Sequence, residues 1–305
     1  NTANDAPTGV HAGPAVRMLA RKFGVDLVQV SGSGPKGRLL KEDIQAFVKQ
    51  RLSQLPAQSS VIEPLPDVDF SQFGAVERVK MSKIQRLTAR NMTRNWLNVP
   101  HVTQFDHADI TDLEAFRKNM QAEAEQRGIR LTLLSFMLKA CGQALRQYRQ
   151  FNVSLESDGQ HLIRKDYVHV GIAVDTPAGL LVPVVRDVDQ KTIWQLAGEV
   201  HAIIQKARHK KLVPADMQGS CFTISSLGSV GGTAFTPIVN TPEVAILGIS
   251  KAEMQPRWDG SIFQPRLMLP LCLSYDHRAV NGVDAARFTT YLGRVMADIR
   301  HLLMG

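Results

Sequence analysis

Cysteine is scarce in this 305-residue chain, and long apolar runs and aromatic residues are scarce with it. Its three cysteines, Cys141, Cys221 and Cys272, stand far apart in apolar surroundings. An odd count with no C-x-x-C spacing predicts no disulfide framework and no metal site, only reduced core residues in a cytosolic-type compartment. No apolar run approaches the roughly 20 residues needed to span a bilayer. No signal-peptide pattern opens the chain, so no membrane partner is expected. The G-x-S-x-G elbow of a serine hydrolase is missing, and so is the H-E-x-x-H of a zinc hydrolase. A hydrophobic content of 44% and a charged content of 21% suit a soluble globular protein, long enough for one sizeable core and something smaller. The formal net charge of +8 invites a nucleic-acid reading. No zinc-finger or RNP pattern accompanies it and the basic residues are spread along the chain, so an acidic protein partner accounts for the charge equally well.

The opening residues, Asn1-Thr-Ala-Asn-Asp-Ala-Pro-Thr-Gly, read as a linker remnant over 1–9 and suggest a piece of a longer polypeptide. Residues 10–50 read as a small helical domain. Pro14 starts a helix where its missing N–H is harmless, Val16, Leu19, Ala20 and Phe23 give it an apolar face, and Gly24 ends it. Val25 to Val30 reads as a short extended piece, followed by a glycine loop and a second helix from Lys41 to about Gln50. The loop matches G-x-G-x-x-G at Gly32, Gly34 and Gly37. A dinucleotide site would need a βαβ unit and a later acidic residue. Neither follows, and Pro35 offers no N–H to a phosphate, so these glycines read as close backbone packing. Residues 51–75, rich in Ser, Gln and Pro, read as an extended linker.

From residue 76 onward strands alternate with long helices. Helices are expected over Ser82–Asn98, with Arg and Lys on the outer face, over Thr111 to about Gln126, Leu131–Tyr148 and Thr192 to about His209. Thr111 and Glu114 have capping-box spacing. Strands are expected at His101–Asp109 and near 161–174, 180–185, 221–226, 244–249 and 262–275. That succession predicts an α/β sandwich with a mixed sheet.

Near the end, an alternating apolar run climbs through Leu271-Cys-Leu-Ser-Tyr275 and breaks at Asp276-His277-Arg278, ahead of Asn281-Gly282 and a last helix to about Leu303. A histidine at the end of a buried strand is placed to act as a general base. This DHRAVNG stretch resembles the DHRxxDG signature of the acyltransferase subunits of 2-oxo acid dehydrogenase complexes, which share the fold of chloramphenicol acetyltransferase. The resemblance extends to Gly171-Ile-Ala-Val-Asp-Thr-Pro-Ala-Gly-Leu-Leu-Val-Pro-Val, to Phe222-Thr-Ile-Ser-Ser-Leu-Gly and to Pro242-Glu-Val-Ala-Ile-Leu-Gly. It covers nearly all of 76–305, and residues 10–50 are similar to the family's peripheral subunit-binding domain. The fold it implies is a chloramphenicol-acetyltransferase-like two-layer sandwich with a mixed sheet behind a small all-α domain.

The activity it implies is transfer of an acyl group between a dihydrolipoyl thiol and coenzyme A. His277 would serve as base and the hydroxyl of Ser225 as donor to the oxyanion. Ser226 is the weaker choice because side chains alternate along a strand. Asn281 stands where the family usually has Asp; an amide there keeps a hydrogen-bonding group without the charge. Arg117 and Lys118 match the side that takes the phosphates of coenzyme A. Arg17, Arg21 and Arg38 match positions that grip acidic residues of the partner enzymes, the pyruvate dehydrogenase and lipoamide dehydrogenase subunits. The lipoyl group would arrive on a lipoyl domain that this chain lacks. A trimer sharing its sites between subunits, built into a larger and often cubic core, is implied as well. Details of the Ser-Ser-Leu-Gly and Gly-Gly-Thr-Ala-Phe-Thr-Pro-Ile-Val-Asn stretches favour the acetyl-specific branch. A succinyl- or branched-acyl-specific enzyme and a core without catalysis remain the alternatives. If Asn281 orients through hydrogen bonds, Asn281→Asp will change steady-state acyl transfer only modestly, and a complete loss would refute that role.

Overall fold

The computed structural model describes residues 10–54, 65–177, 179–228 and 230–304, which fall into two compact units dividing between Arg78 and Val79. The expected linker remnant at 1–9, and residues 55–64 of the expected linker, lie outside the described residues.

In the small unit α1 (Pro14–Phe23) ends on Gly24, whose φ of 64° closes the helix through its N–H. Val16 and Ala20 pack with Leu39 and with Ile44 of α2 (Lys41–Gln54), which runs four residues past the expected stop. The glycine loop is packed backbone: a Cβ on Gly32 would meet the Gly37 carbonyl at 2.4 Å. Asp43 anchors the loop to α2, its carboxylate accepting from the backbone N–H groups of Leu40 (2.8 Å) and Ser33 (3.0 Å) and from the Ser33 hydroxyl (2.6 Å). These bonds favour the charged form and hold the carboxyl below its usual range. The stretch read as extended at Val25–Val30 instead contains a 3-10 turn, Leu27–Gln29, because the Asp26 carboxylate accepts the Val28 N–H.

The large unit opens with α3 (Lys83–Asn98), capped reciprocally by Ser82 and Gln85, with Lys83, Arg86, Arg90 and Arg94 exposed as expected. Then come β1 (His101–Asp109), α4 (Thr111–Asn119), α5 (Gln121–Gln126), α6 (Leu133–Gln147), β2 (Val153–Leu155) and β3 (Leu162–Arg164). Next are β4 (Val170–Thr176), β5 (Gly179–Leu181), β6 (Val184–Val185), α7 (Ile193–Arg208), β7 (Phe222–Ser226) and β8 (Ala245–Ile249). The chain closes with β9 (Glu253–Trp258), β10 (Phe263–Asp276), α8 (Gly282–Ala297) and α9 (Ile299–Leu303).

The main sheet has eight strands in the order β1-β10-β8-β7-β4-β5, with β6 added to β4 and β9 to β10. β4, β7 and β8 run parallel while β1, β9 and β10 pair antiparallel, so the sheet is mixed. α8 lies against β1 and α7 against β4, with α6 packed on both helices as the second layer. Every residue of β8, and of β10 from Met268 to Asp276, is buried. The sheet centre is therefore covered on both faces, which explains the near-continuous apolar run of its sequence.

Several expected elements differ. The capping box at Thr111 does not form: its hydroxyl donates to Asp109 (2.6 Å) and accepts the Leu267 N–H (2.8 Å), while Glu114 is taken by Arg117. The helix expected to about Gln126 breaks at Met120. β9 went unread because its exposed residues and Pro256 hide the pattern of an edge hairpin. Phe288 joins the layers, its buried ring lying 4.3 Å from Phe151 and 5.7 Å from Phe222. Phe288→Ala should destabilise the large unit by about 3–5 kcal/mol, read from chemical denaturation.

Candidate active site

The turn after β10 is built by Asp276. Its backbone carbonyl accepts the N–H groups of Ala279 and Val280, each at 3.0 Å. Its carboxylate accepts the Arg278 N–H at 3.0 Å and holds the Arg278 guanidinium at 2.7 Å through Oδ2. Asp276 is buried while Arg278 is exposed, so the pair forms at the protein surface with the acid beneath. The carboxylate raises the Arg278 pKa, which fixes that side chain as a cation. Between them His277 stands at the tip. Its backbone N–H donates to the Pro100 carbonyl (3.1 Å), tying the turn to the end of α3. Its ring is exposed and lies 5.8 Å from the buried Tyr275 ring. Burial pushes the Tyr275 phenol up, so it stands beside the imidazole as a neutral group.

Asn281 is the N-cap residue of α8, with extended backbone (φ −90°, ψ 156°) and no side-chain capping bond. Its carbonyl accepts the Ala285 N–H, so the exposed amide side chain is left available at the helix start. That is an unusual use of a strong capping residue.

Ser225 lies on β7, opposite Ala173 of β4 and Gly248 of β8. It is half-buried, and its hydroxyl makes no hydrogen bond among the described residues. Beside it, a Cβ on Gly248 would meet the Phe235 ring at 2.7 Å; glycine there lets the loop after β7 fold back over the sheet.

The sheet does not bring Ser225 and His277 together within one chain. Ser225 pairs with Gly248, which pairs with Cys272, and His277 lies five positions further along β10. At 3.3 Å per residue and about 4.8 Å between strands, the two are separated by about 17 Å along the strands and about 10 Å across them. Ser225 and His277 thus stand at opposite ends of the sheet.

Arg117 and Lys118 line a cleft of about 320 Å³ together with Gln121 and Arg130. The Arg117 guanidinium is held by both Glu114 oxygens at 2.8 Å and by the Leu131 carbonyl at 3.0 Å. Lys118 and Arg130 are exposed and make no ion pair among the described residues. Arg130, a lone basic residue before α6, carried no pattern that sequence reasoning could find. In the small unit, Arg17 donates to the Ala12 and Val10 carbonyls (3.2 and 3.0 Å), bracing the segment before α1. Arg21 and Arg38 are exposed and unpaired among the described residues. Cys141, Cys221 and Cys272 are buried and unpaired, and burial raises each thiol pKa. No helix among the described residues is long and apolar enough to cross a membrane.

A mixed-sheet unit ending in a histidine turn, behind a small two-helix unit, is matched by two family models. Residues 73–304 match the catalytic domain of 2-oxoacid dehydrogenases acyltransferase, and residues 10–45 match the e3 binding domain. The chain belongs to this acyltransferase family.

Among its relatives is the dihydrolipoyllysine-residue acetyltransferase component of the pyruvate dehydrogenase complex of Pseudomonas aeruginosa, 61% identical over 97% of this chain and 55% of that protein. The component of the same name from Azotobacter vinelandii is 60% identical over 97% of this chain and 47% of that protein. The chain thus spans about half the length of these curated relatives. A structure of the Azotobacter vinelandii dihydrolipoamide acetyltransferase is 62% identical, with a TM-score of 0.78 over 79% of this chain and 100% of that one. It was studied for the role of a serine, a histidine and an asparagine in that enzyme's catalytic mechanism. The cubic core of a pyruvate dehydrogenase multienzyme complex matches with the same identity, coverage and TM-score.

The Asp276–Arg278 clamp braces the turn that carries His277, and small misplacements of a group acting in catalysis cost heavily. Arg278→Ala should lower kcat for acyl transfer by roughly 10- to 100-fold with far-UV circular dichroism unchanged.

Proposed function

We propose that this chain transfers an acetyl group between dihydrolipoamide and coenzyme A as the core-forming component of a pyruvate dehydrogenase complex. The observation that carries this is the catalytic serine, histidine and asparagine of the Azotobacter vinelandii enzyme. Their types and spacings are those of Ser225, His277 and Asn281. The asparagine four places after the histidine is thus shared with an enzyme in which such a residue was studied for its role in catalysis, which supports the catalytic reading over a core without catalysis.

In the forward direction the thiol of coenzyme A gives its proton to His277, and the thiolate attacks the carbonyl carbon of the acetyl-dihydrolipoyl thioester. A new C–S bond forms and the carbonyl electrons move onto oxygen. The Ser225 hydroxyl donates to that oxyanion. Collapse breaks the bond to the dihydrolipoyl sulfur, which takes the proton back from His277. Asn281, with its amide uncommitted at the start of α8, orients the histidine end of the site. No acyl-enzyme is needed.

Because Ser225 and His277 lie at opposite ends of one sheet, a working site needs the histidine end of one subunit against the serine end of another. A trimer meets this requirement by closing head to tail. Phosphates of coenzyme A fit the Lys118 and Arg130 side, with Arg117 shaping the cleft while bound to Glu114. The lipoyl arm enters from the other mouth. The small unit offers Arg21 and Arg38, with Arg17 between its backbone partners, to acidic surfaces of lipoamide dehydrogenase and pyruvate dehydrogenase subunits.

The first test is acetyl transfer from acetyl-CoA to free dihydrolipoamide, with succinyl-CoA as the comparison. His277→Ala should lower kcat by about 10²- to 10⁴-fold while sedimentation shows the same assembly. No turnover by a correctly assembled parent would refute the reading. Co-assembling inactive His277→Ala and Ser225→Ala chains should restore activity, since mixed interfaces contain one intact pair; if the mixture stays inactive, the shared site is wrong.

A further inference from the structure

Glu243 is the most deeply buried acid among the described residues, 2% exposed, and it lies outside the reacting groups named above. It sits between the Thr241–Pro242 bond and β8. Its Oε1 accepts from the Ser220 hydroxyl, just before β7, and from the Asn240 amide at 3.1 Å. Its Oε2 has no partner, and the nearby Thr223 hydroxyl, on β7 two residues before Ser225, is buried and unpaired as well. No cation lies within ion-pair distance of this carboxyl among the described residues, and a buried charge without such a partner is costly. A carboxylic acid avoids that cost, and a turn of the Thr223 hydroxyl closes a bond to Oε2 in either form, accepting from the acid's O–H or donating to a carboxylate.

Glu243 also touches the histidine end through its neighbour: the Val244 carbonyl accepts the Asp276 N–H at 2.8 Å, one residue before His277. The side chain therefore grips the start of the serine-bearing strand, while the adjoining backbone grips the start of the histidine turn. We infer that Glu243 is a positioning residue for acyl transfer, a protonated carboxyl that fixes the spacing between the two half-sites each chain contributes, acting through hydrogen bonds rather than charge. This rests on the acyl-transfer reading above.

The charged and titratable groups around it agree. Lys165 approaches from the segment before β4, with its ammonium 3.4 Å from the Val153 carbonyl, and Cys221 from the start of β7. Burial raises the Glu243 pKa and lowers that of Lys165, so each is driven towards its neutral form. The attraction of Lys165 opposes this shift without reversing it.

The sign of the pH dependence follows. An acid whose folded pKa lies above its unfolded one keeps its proton in the native state while the unfolded chain loses it. Stability then falls as pH rises from the unfolded value near 4.5 towards the folded one. Glu243→Gln keeps the neutral shape and removes this loss.

The experiment compares the assembled parent with Glu243→Gln and Glu243→Ala. Glu243→Gln should stay within about twofold of the parent in kcat and in KM for acetyl-CoA, and its Tm advantage should grow as pH is raised from 4.5 to 8. Glu243→Ala should lower kcat at least about tenfold with KM within about twofold, since substrate binding is left intact. A Glu243→Gln variant as inactive as Glu243→Ala, or one whose Tm relative to the parent does not rise with pH, overturns the inference. If Glu243→Ala fails to assemble, the Gln variant decides through both readouts. Absence of acetyl transfer in the parent refutes the functional reading instead, leaving the Tm comparison to report the proton on Glu243.

Discussion

The pairing of β10 is the constraint on which the rest depends. Its second half is hydrogen-bonded on one side to β1 and on the other to β8, so it cannot slide without breaking two ladders and turning a fully buried strand over. That fixed register delivers Asp276 to one place, where it has to turn the chain in a single step. It does so with both its carbonyl and its carboxylate, and His277 is exposed because its neighbour is buried. The exposed imidazole is thus carried on a rigid scaffold.

The same sheet places Ser225 and keeps it apart from His277. β7 joins the ladder parallel to β8, so its serine emerges towards the opposite end from the histidine turn. Under the proposed acyl-transfer reading, a chain arranged this way needs a neighbour to bring the two ends together, and association becomes part of the site. The buried hub at Glu243 fits the same proposal: its side chain holds Ser220 just before β7, and the carbonyl of the next residue, Val244, holds Asp276 beside His277.

The small unit solves a different problem. With few residues to bury, it holds together through a short apolar cluster, a carboxylate that binds its loop to α2, and glycines that let backbone meet backbone. Its arginines divide the labour, Arg17 bracing the fold and Arg21 and Arg38 facing outward.

Much of this was legible in the chain. The alternation to Tyr275, the break at Asp276 and the restart at Gly282 put His277 in a turn between a strand and a helix, where the structure has it. Pro14 and Gly24 bounded α1, and the interleaving of strands and helices gave the mixed α/β class. Periodicity and end signals are local, so the sequence alone determined most of the strands and helices and the residue types at the turn after β10. Local signals could not show that Thr111 serves the β10 edge instead of a cap, that Glu114 immobilises Arg117, or that Arg130 joins Lys118 at a cleft. They could not reveal an edge hairpin disguised by Pro256. Only the tertiary structure decided these points, because each depends on a partner far away in the chain. It alone placed Ser225 and His277 at opposite ends of the sheet, since strand order and register are set by pairing between distant segments.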